Sequence, residues 1–171
     1  RQQFLRCRYQ EDSLRKKENT KNVLIMGGGL GLMPDLKELL GKLHHMHGVR
    51  TVVITGKNKK VYDEWVDRYD DVKVLGYTEN ISKYMRWADL VITKAGGITL
   101  FELIHSEVPL FVIHPFLEQE MNNAGYAAEK GFAKVVWGKR EAYIPELQKL
   151  LEDEDELKRM KANVKRAKTD M

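Results

Sequence analysis

TKAGGITLFELIHSEVPLFVIHP, residues 93–115, runs from strand end through glycine turn and helix to the next strand in immediate succession. The β-favouring run 88–92 leads into it, and Gly96-Gly97 permits a tight turn because neither residue carries a Cβ. Ile98, Phe101, Leu103 and Ile104 then fall at helical spacing, which predicts a helix from about Ile98. The first backbone N–H groups of such a helix lack intrahelical acceptors and carry the positive end of its dipole. Gly97, Ile98 and Thr99 are therefore candidate donors to an anion, phosphate above all, with Lys94 as a neutralising charge. Every strand-to-helix unit needs such a turn, so the turn alone leaves phosphate binding and plain connection both open. Glu102 divides the same way. Thr99-Leu-Phe-Glu102 fits the S/T-x-x-E capping box, yet a carboxylate one turn beyond a phosphate also suits the vicinal hydroxyls of a ribose.

The alternation repeats in both directions. Upstream, 22–26 reads as a buried strand followed by Gly27-Gly28-Gly29-Leu30-Gly31, and Pro34 suits the first turn of a helix striped by Leu36, Leu39, Leu40 and Leu43. A second strand spans 50–55, a helix 61–69 carries Trp65 inward, and a third strand spans 72–75. The loop 76–80 then precedes a helix over 81–87. Downstream lie a fifth strand at 110–113, a helix ending near Lys130, a sixth strand at 133–137, and one or two charged amphipathic helices over 144–171. About six strands alternating with helices imply a Rossmann-like α/β domain, a parallel sheet covered on both faces. The loops after the first, third, fourth and fifth strands would then emerge on one sheet edge, where open α/β sheets hold ligands. Tyr77 beside exposed backbone can frame a planar base or simply pack, and Gln119, Glu120 and Asn123 can bind hydroxyls or simply start a helix.

Composition narrows the class. The 171 residues suit one domain, and the start at Arg1 reads as a piece of a longer protein. The net charge of +4 sits entirely in residues 1–21, a linker or connecting segment from a missing N-terminal domain; residues 22–171 form the domain and are neutral. A nucleic-acid footprint would spread basic residues over a face with aromatic readers, and no such pattern occurs. A single cysteine, Cys7, fits a cytoplasmic setting, and no apolar run reaches the ~20 residues of a membrane helix. The glycine run is not a dinucleotide fingerprint, since Leu32 or Pro34 fills the third glycine position and Gly56-Lys57 stands where an acid would hold the ribose. His44, His45 and His47 lack further ligands at zinc spacing, and Asp153-Glu154-Asp155 sits in an acidic helix-start run. No metal and no cofactor are expected.

VLIMGGGLG, GYTENI, ADLVITKAGGITLFE and the QE of LEQEMNNA together bring a family into view. From about Val23 to Lys168 the chain resembles the C-terminal, donor-binding half of the GT-B glycosyltransferases grouped with the peptidoglycan N-acetylglucosaminyltransferase. The diacylglycerol glycosyltransferases of bacteria and plastids are the nearest branch. The resemblance implies a UDP-sugar donor and a lipid acceptor bound through the missing N-terminal domain, with peripheral attachment of the longer protein to the cytoplasmic membrane face. It also implies roles: Tyr77 and Thr78 at uracil, Gly96, Gly97, Ile98 and Thr99 at the diphosphate, and Glu102 on ribose. Gln119 and Glu120 match the pair on the sugar, Asn123 lies nearby, and Gly29 and Gly31 match the loop facing the interdomain cleft. The catalytic base is expected outside this chain. Where the lipid branch often has Pro-Gly before Gln-Glu, this chain has Leu117-Glu118, so the sugar is less fixed than the nucleotide. A UDP-sugar 2-epimerase-like domain and a non-catalytic UDP-sugar-binding module are the alternatives.

Overall fold

The structure, a computed structural model, describes residues 20–27, 33–93, 97–138 and 141–171, without the side chains of 97–99. Gly29, Gly31, Lys94 and Gly96, four of the predicted site residues, lie outside the described residues. Six strands alternate with seven helices among them: β1 (Lys21–Met26), α1 (Leu36–His45), β2 (Val49–Ile54), α2 (Lys59–Trp65), β3 (Val72–Leu75), α3 (Ile81–Trp87), β4 (Leu90–Thr93), α4 (Gly97–His105), β5 (Leu110–Ile113), α5 (Glu118–Glu129), β6 (Ala133–Val136), α6 (Ile144–Leu151) and α7 (Glu154–Thr169). The sheet order is β3-β2-β1-β4-β5-β6 and every neighbouring pair is parallel. The predicted α/β architecture is the observed one.

Period-two alternation in the strands divides the core into two layers. Val23 and Ile25 of β1 face a layer with Leu36, Leu39, Leu40 and Leu43 of α1, Trp65 of α2, and Leu147 and Leu150 of α6. Leu24 and Met26 face the opposite layer, with Tyr84 and Met85 of α3, Leu103 and Ile104 of α4, and Ala124 and Ala127 of α5. The longest helix, α7, serves both: Leu157 and Met160 join the first layer, Val164 and Ala167 the second. Because strands buried on both faces must be apolar throughout, runs such as VLIM are legible without alternation.

Several boundaries differ from the sequence-based expectation. Helix α2 starts at Lys59, where Asn58 Oδ1 accepts the Val61 N–H at 3.1 Å, and stops at Trp65 rather than running to Tyr69. Val66 is already out of helical conformation, and Asp67 turns left-handed at φ 59°. Pro34 sits in a turn before α1 instead of its first turn, because Asp35, the cap residue, is left-handed at φ 56°. The C-terminal segment resolves into two helices. Asp153 caps the second by accepting the Glu156 N–H at 3.0 Å, so the acidic triplet is a helix start. His44 accounts for part of the histidine cluster: its Nδ1 lies 2.6 Å from Asp71 Oδ1 and its ring stacks on Tyr69 at 4.3 Å.

Candidate functional site

The strand order reverses at β1, which has β2 on one side and β4 on the other. Register levels the strand ends: Met26 pairs with Ile54 and with Thr93, and Ile113 pairs with Val136. Everything that follows these residues therefore leaves one edge, and the crevice of an open α/β sheet opens at its switch point, here between β1 and β4. Helix α4 begins at Gly97, four residues after Thr93 closes β4. Its N-terminal N–H groups, those of Gly97, Ile98 and Thr99, are directed at that edge.

The start at Gly97 decides one alternative. Thr99 is the third residue of α4, inside the helix and not at the cap position that a capping box with Glu102 would require. Leu100, Leu103 and Ile104 are buried, which turns Phe101 and Glu102 outward. The Glu102 carboxylate has no hydrogen-bond or ion-pair partner among the described residues, one helical turn from the α4 N-terminus.

Beyond β3, Tyr77 is 67% exposed, and the Lys57 ammonium group of the β2–α2 loop lies 5.9 Å from its ring centroid. Thr78 Oγ1 accepts the Asn80 N–H at 3.2 Å, which fixes the turn before α3. Asn80 occupies the α3 cap position without a side-chain capping bond. Lys57 was not singled out from sequence; its signal was present only as the basic residue standing where a dinucleotide fold would put an acid.

Helix α5 carries the remaining candidates on its first two turns. Gln119 is exposed, and Glu120 Oε1 accepts the Leu117 N–H at 3.2 Å, the returning half of a capping box whose forward half a leucine cannot supply. In this conformation Glu120 serves the helix start, as the plainer alternative held. Asn123 differs. Its Nδ2 is buried and finds no partner among the described residues, as is also true of Asn22 Oδ1, Thr51 Oγ1 and Trp87 Nε1 elsewhere, and an unmet donor costs about 1–3 kcal/mol.

His114, which the sequence did not single out, closes the same edge at the end of β5. It is 8% exposed and left-handed at φ 43°. A non-glycine residue is held there only by its surroundings. Its N–H donates to Val136 O at 2.8 Å, its Nε2 lies 2.9 Å from Glu141 O, and its ring meets Tyr143 edge-on at 5.9 Å. Tyr143 in turn donates its hydroxyl to Pro34 O at 2.5 Å, linking the segment beyond β1 to the end of β5. Burial, then the nearby Asp35 and Glu38 carboxylates, push this phenol well above its ordinary range. The structure thus brings Tyr77, Thr78, Glu102, Gln119, Glu120 and Asn123 to one sheet edge with the α4 N-terminus.

Residues 22–171 match the glycosyltransferase family 28 C-terminal domain. The processive diacylglycerol beta-glucosyltransferase of Bacillus subtilis (strain 168) is 39% identical over 151 residues, covering 86% of this chain and 39% of that protein. The enzyme of the same name from Bacillus pumilus (strain SAFR-032) is 37% identical with the same coverage. The chain thus spans 39% of the length of these curated relatives. Among solved structures, Acinetobacter baumannii MurG superposes with a TM-score of 0.70 at 20% identity, covering 91% of this chain and 48% of that one. Spinosyn rhamnosyltransferase SpnG, complexed with thymidine diphosphate, gives 0.66 at 16% identity, covering 88% and 43%. These likenesses show a shared fold. Among the described residues, no helix is long and apolar enough to cross a membrane.

Proposed function

The chain belongs to the glycosyltransferase family 28 C-terminal domain family, and from that membership we propose that it is the donor-binding half of an inverting hexosyltransferase, moving sugar from UDP to a diacylglycerol-type acceptor. The observation that carries this reading is the opening of the α4 N-terminus at the β1–β4 switch point, with Glu102, which has no partner among the described residues, one turn along. Main-chain N–H groups of Gly97, Ile98 and Thr99, with Lys94, take the diphosphate; Glu102 takes the ribose hydroxyls; Tyr77 and Thr78 flank the uracil. Gly29 and Gly31 are assigned to the glycine loop at the interdomain cleft on the family resemblance alone. Gln119, Glu120 and Asn123 take the sugar, with Glu120 exchanging its bond to Leu117 for a sugar hydroxyl.

In the step itself, the acceptor hydroxyl oxygen attacks the anomeric carbon from the face opposite the diphosphate. A new C–O bond forms, the bond from carbon to phosphate oxygen breaks, and UDP leaves with the electron pair. The acceptor proton passes to a base outside this chain. Charge building on the leaving diphosphate is met by the dipole of α4, whose main-chain donors are aimed before reaction, and by the positive charge of Lys94. This division of labour needs no metal at the diphosphate, and the longer protein would work from the membrane face, where its acceptor resides.

The test is product analysis with the longer protein, sugar-labelled UDP-glucose or UDP-galactose, and diacylglycerol. The expected result is label in glycolipid with one UDP released per sugar transferred. Epimerised nucleotide sugar formed without acceptor, or tight UDP binding without any transfer, would contradict the assignment.

A further inference from the structure

Among the described residues, four other than glycine are left-handed: Asp35, Asp67, Glu107 and His114. Asp35 and Asp67 are exposed and Glu107 is half-buried, each in a turn beside a helix end, whereas His114 is buried and follows directly on a strand. Pro115 comes next, and a residue before proline is ordinarily extended, so the conformation is doubly unfavourable. It persists because His114 is held from three sides. Its N–H donates to Val136 O at 2.8 Å, and its ring lies edge-on to the buried Tyr143. Nε2 stands 2.9 Å from Glu141 O; a carbonyl only accepts, so Nε2 carries the proton.

The segment that this turn directs is the one with the sugar candidates. Helix α5 begins at Glu118, four residues after His114. No residue from 116 to 123 is buried, and Ala124 is the first of α5 to enter the core. The bond from the Leu117 N–H to Glu120 Oε1 ties the first turn to itself and not to the sheet. Core packing thus fixes α5 from Ala124 onward, and the direction in which the chain enters its first turn is set at His114. We propose that His114 is a positioning residue for the donor sugar: its imidazole bond to Glu141 O holds the left-handed turn that aims the start of α5, and with it Gln119 and Glu120, at the sugar. This inference rests on the donor-binding reading above and adds to it a residue that touches neither nucleotide nor sugar. The proposed UDP contacts, from Tyr77 to Glu102, all lie on segments before β5, so the sugar should feel His114 and UDP alone should not.

The experiment uses the full-length protein that contains this chain, dioctanoylglycerol, and whichever of UDP-glucose and UDP-galactose wild type transfers. His114→Ala keeps a Cβ on left-handed backbone and loses the bond. It should raise the UDP-sugar KM roughly tenfold while the inhibition constant for UDP stays within about twofold of wild type. His114→Gln bears the same backbone strain, but its amide nitrogen reaches as far as Nε2; it should recover most of the loss, to within about threefold of wild type. His114→Gly adopts the turn without strain and so folds even if His114→Ala does not; lacking the imidazole, it should still raise the KM about fivefold. A wild-type KM in His114→Gly, or His114→Gln no better than His114→Ala and His114→Gly, overturns the inference. So does a UDP inhibition constant that rises in step with the KM, the mark of a fold loosened as a whole. Each of these leaves the functional reading standing. That reading fails instead if wild type neither binds UDP nor transfers sugar, and the role of His114 then falls with it.

Discussion

The two ends of the sheet are built for different purposes. At the amino end, chain segments are tied to one another: Asn22 and Asp89 exchange bonds, with the Asn22 N–H on Asp89 Oδ2 at 2.8 Å and the Asp89 N–H on Asn22 O at 2.7 Å. The Lys21 N–H reaches Gly48 O, the Thr51 N–H reaches Asp71 O, and Lys21 Nζ reaches the last carbonyl of α6, Leu151 O. At the carboxyl end, Tyr77, Glu102 and Gln119 point outward and His114 sits in a left-handed conformation. Buried side-chain atoms without a partner among the described residues occur at both ends, Asn22 Oδ1, Thr51 Oγ1 and Trp87 Nε1 at one and Asn123 Nδ2 at the other, so what separates the ends is the outward-facing side chains of the carboxyl one.

That contrast can be broken from the amino end first. Gly131→Ala should have the largest effect: φ is +81°, and an added Cβ would stand 2.5 Å from Asn163 Nδ2, which donates to Gly131 O at 2.9 Å. Urea unfolding should show a loss of about 2–4 kcal/mol. Asp89→Ala leaves the Asn22 N–H without its carboxylate and should cost about 1.5–3 kcal/mol by the same measurement. Neither substitution touches the candidate site.

At the carboxyl end the expected losses of stability shrink and losses of binding take their place. Tyr143→Phe removes the bond to Pro34 O and should cost about 1 kcal/mol. The sign of its pH dependence is fixed. The folded phenol holds its proton above the ordinary value of 10.0, so Tyr143 contributes stability below that value and loses it as pH rises further. Wild type should lose stability more steeply than Tyr143→Phe above pH 10.0, as read by urea midpoints across pH. Tyr77→Ala should change stability by less than about 0.5 kcal/mol, because the ring is exposed, while weakening UDP binding roughly fivefold.

The same contrast explains what could be read from sequence. A strand buried on both faces announces itself as an unbroken apolar run, as LFVI at 110–113 does, while the edge strand 72–75, interrupted by Lys73, is found where the alternation of elements puts it. The start of α4 was legible to within a residue because a helical stripe follows the glycine pair after a strand. What failed was local and depended on distant partners. The end of α2 at Trp65 follows from Asp67 turning left-handed, and nothing near it in sequence forbids a longer helix. His114 gave no signal because its conformation is set by Val136, Glu141 and Tyr143, all more than twenty residues away. Glu120 read as helix start or as ligand, and in this structure its carboxylate takes the first role by accepting the Leu117 N–H.

The central claim is that this edge grips a uridine diphosphate, with main-chain amides on the diphosphate and Glu102 on the ribose. Calorimetric titration of UDP and ADP into wild type and Glu102→Ala tests it most directly. The account predicts roughly micromolar to millimolar UDP binding, with ADP at least about tenfold weaker and Glu102→Ala losing roughly tenfold for UDP. Equal affinity for the two nucleotides, or a Glu102→Ala isotherm that overlays wild type, would contradict it.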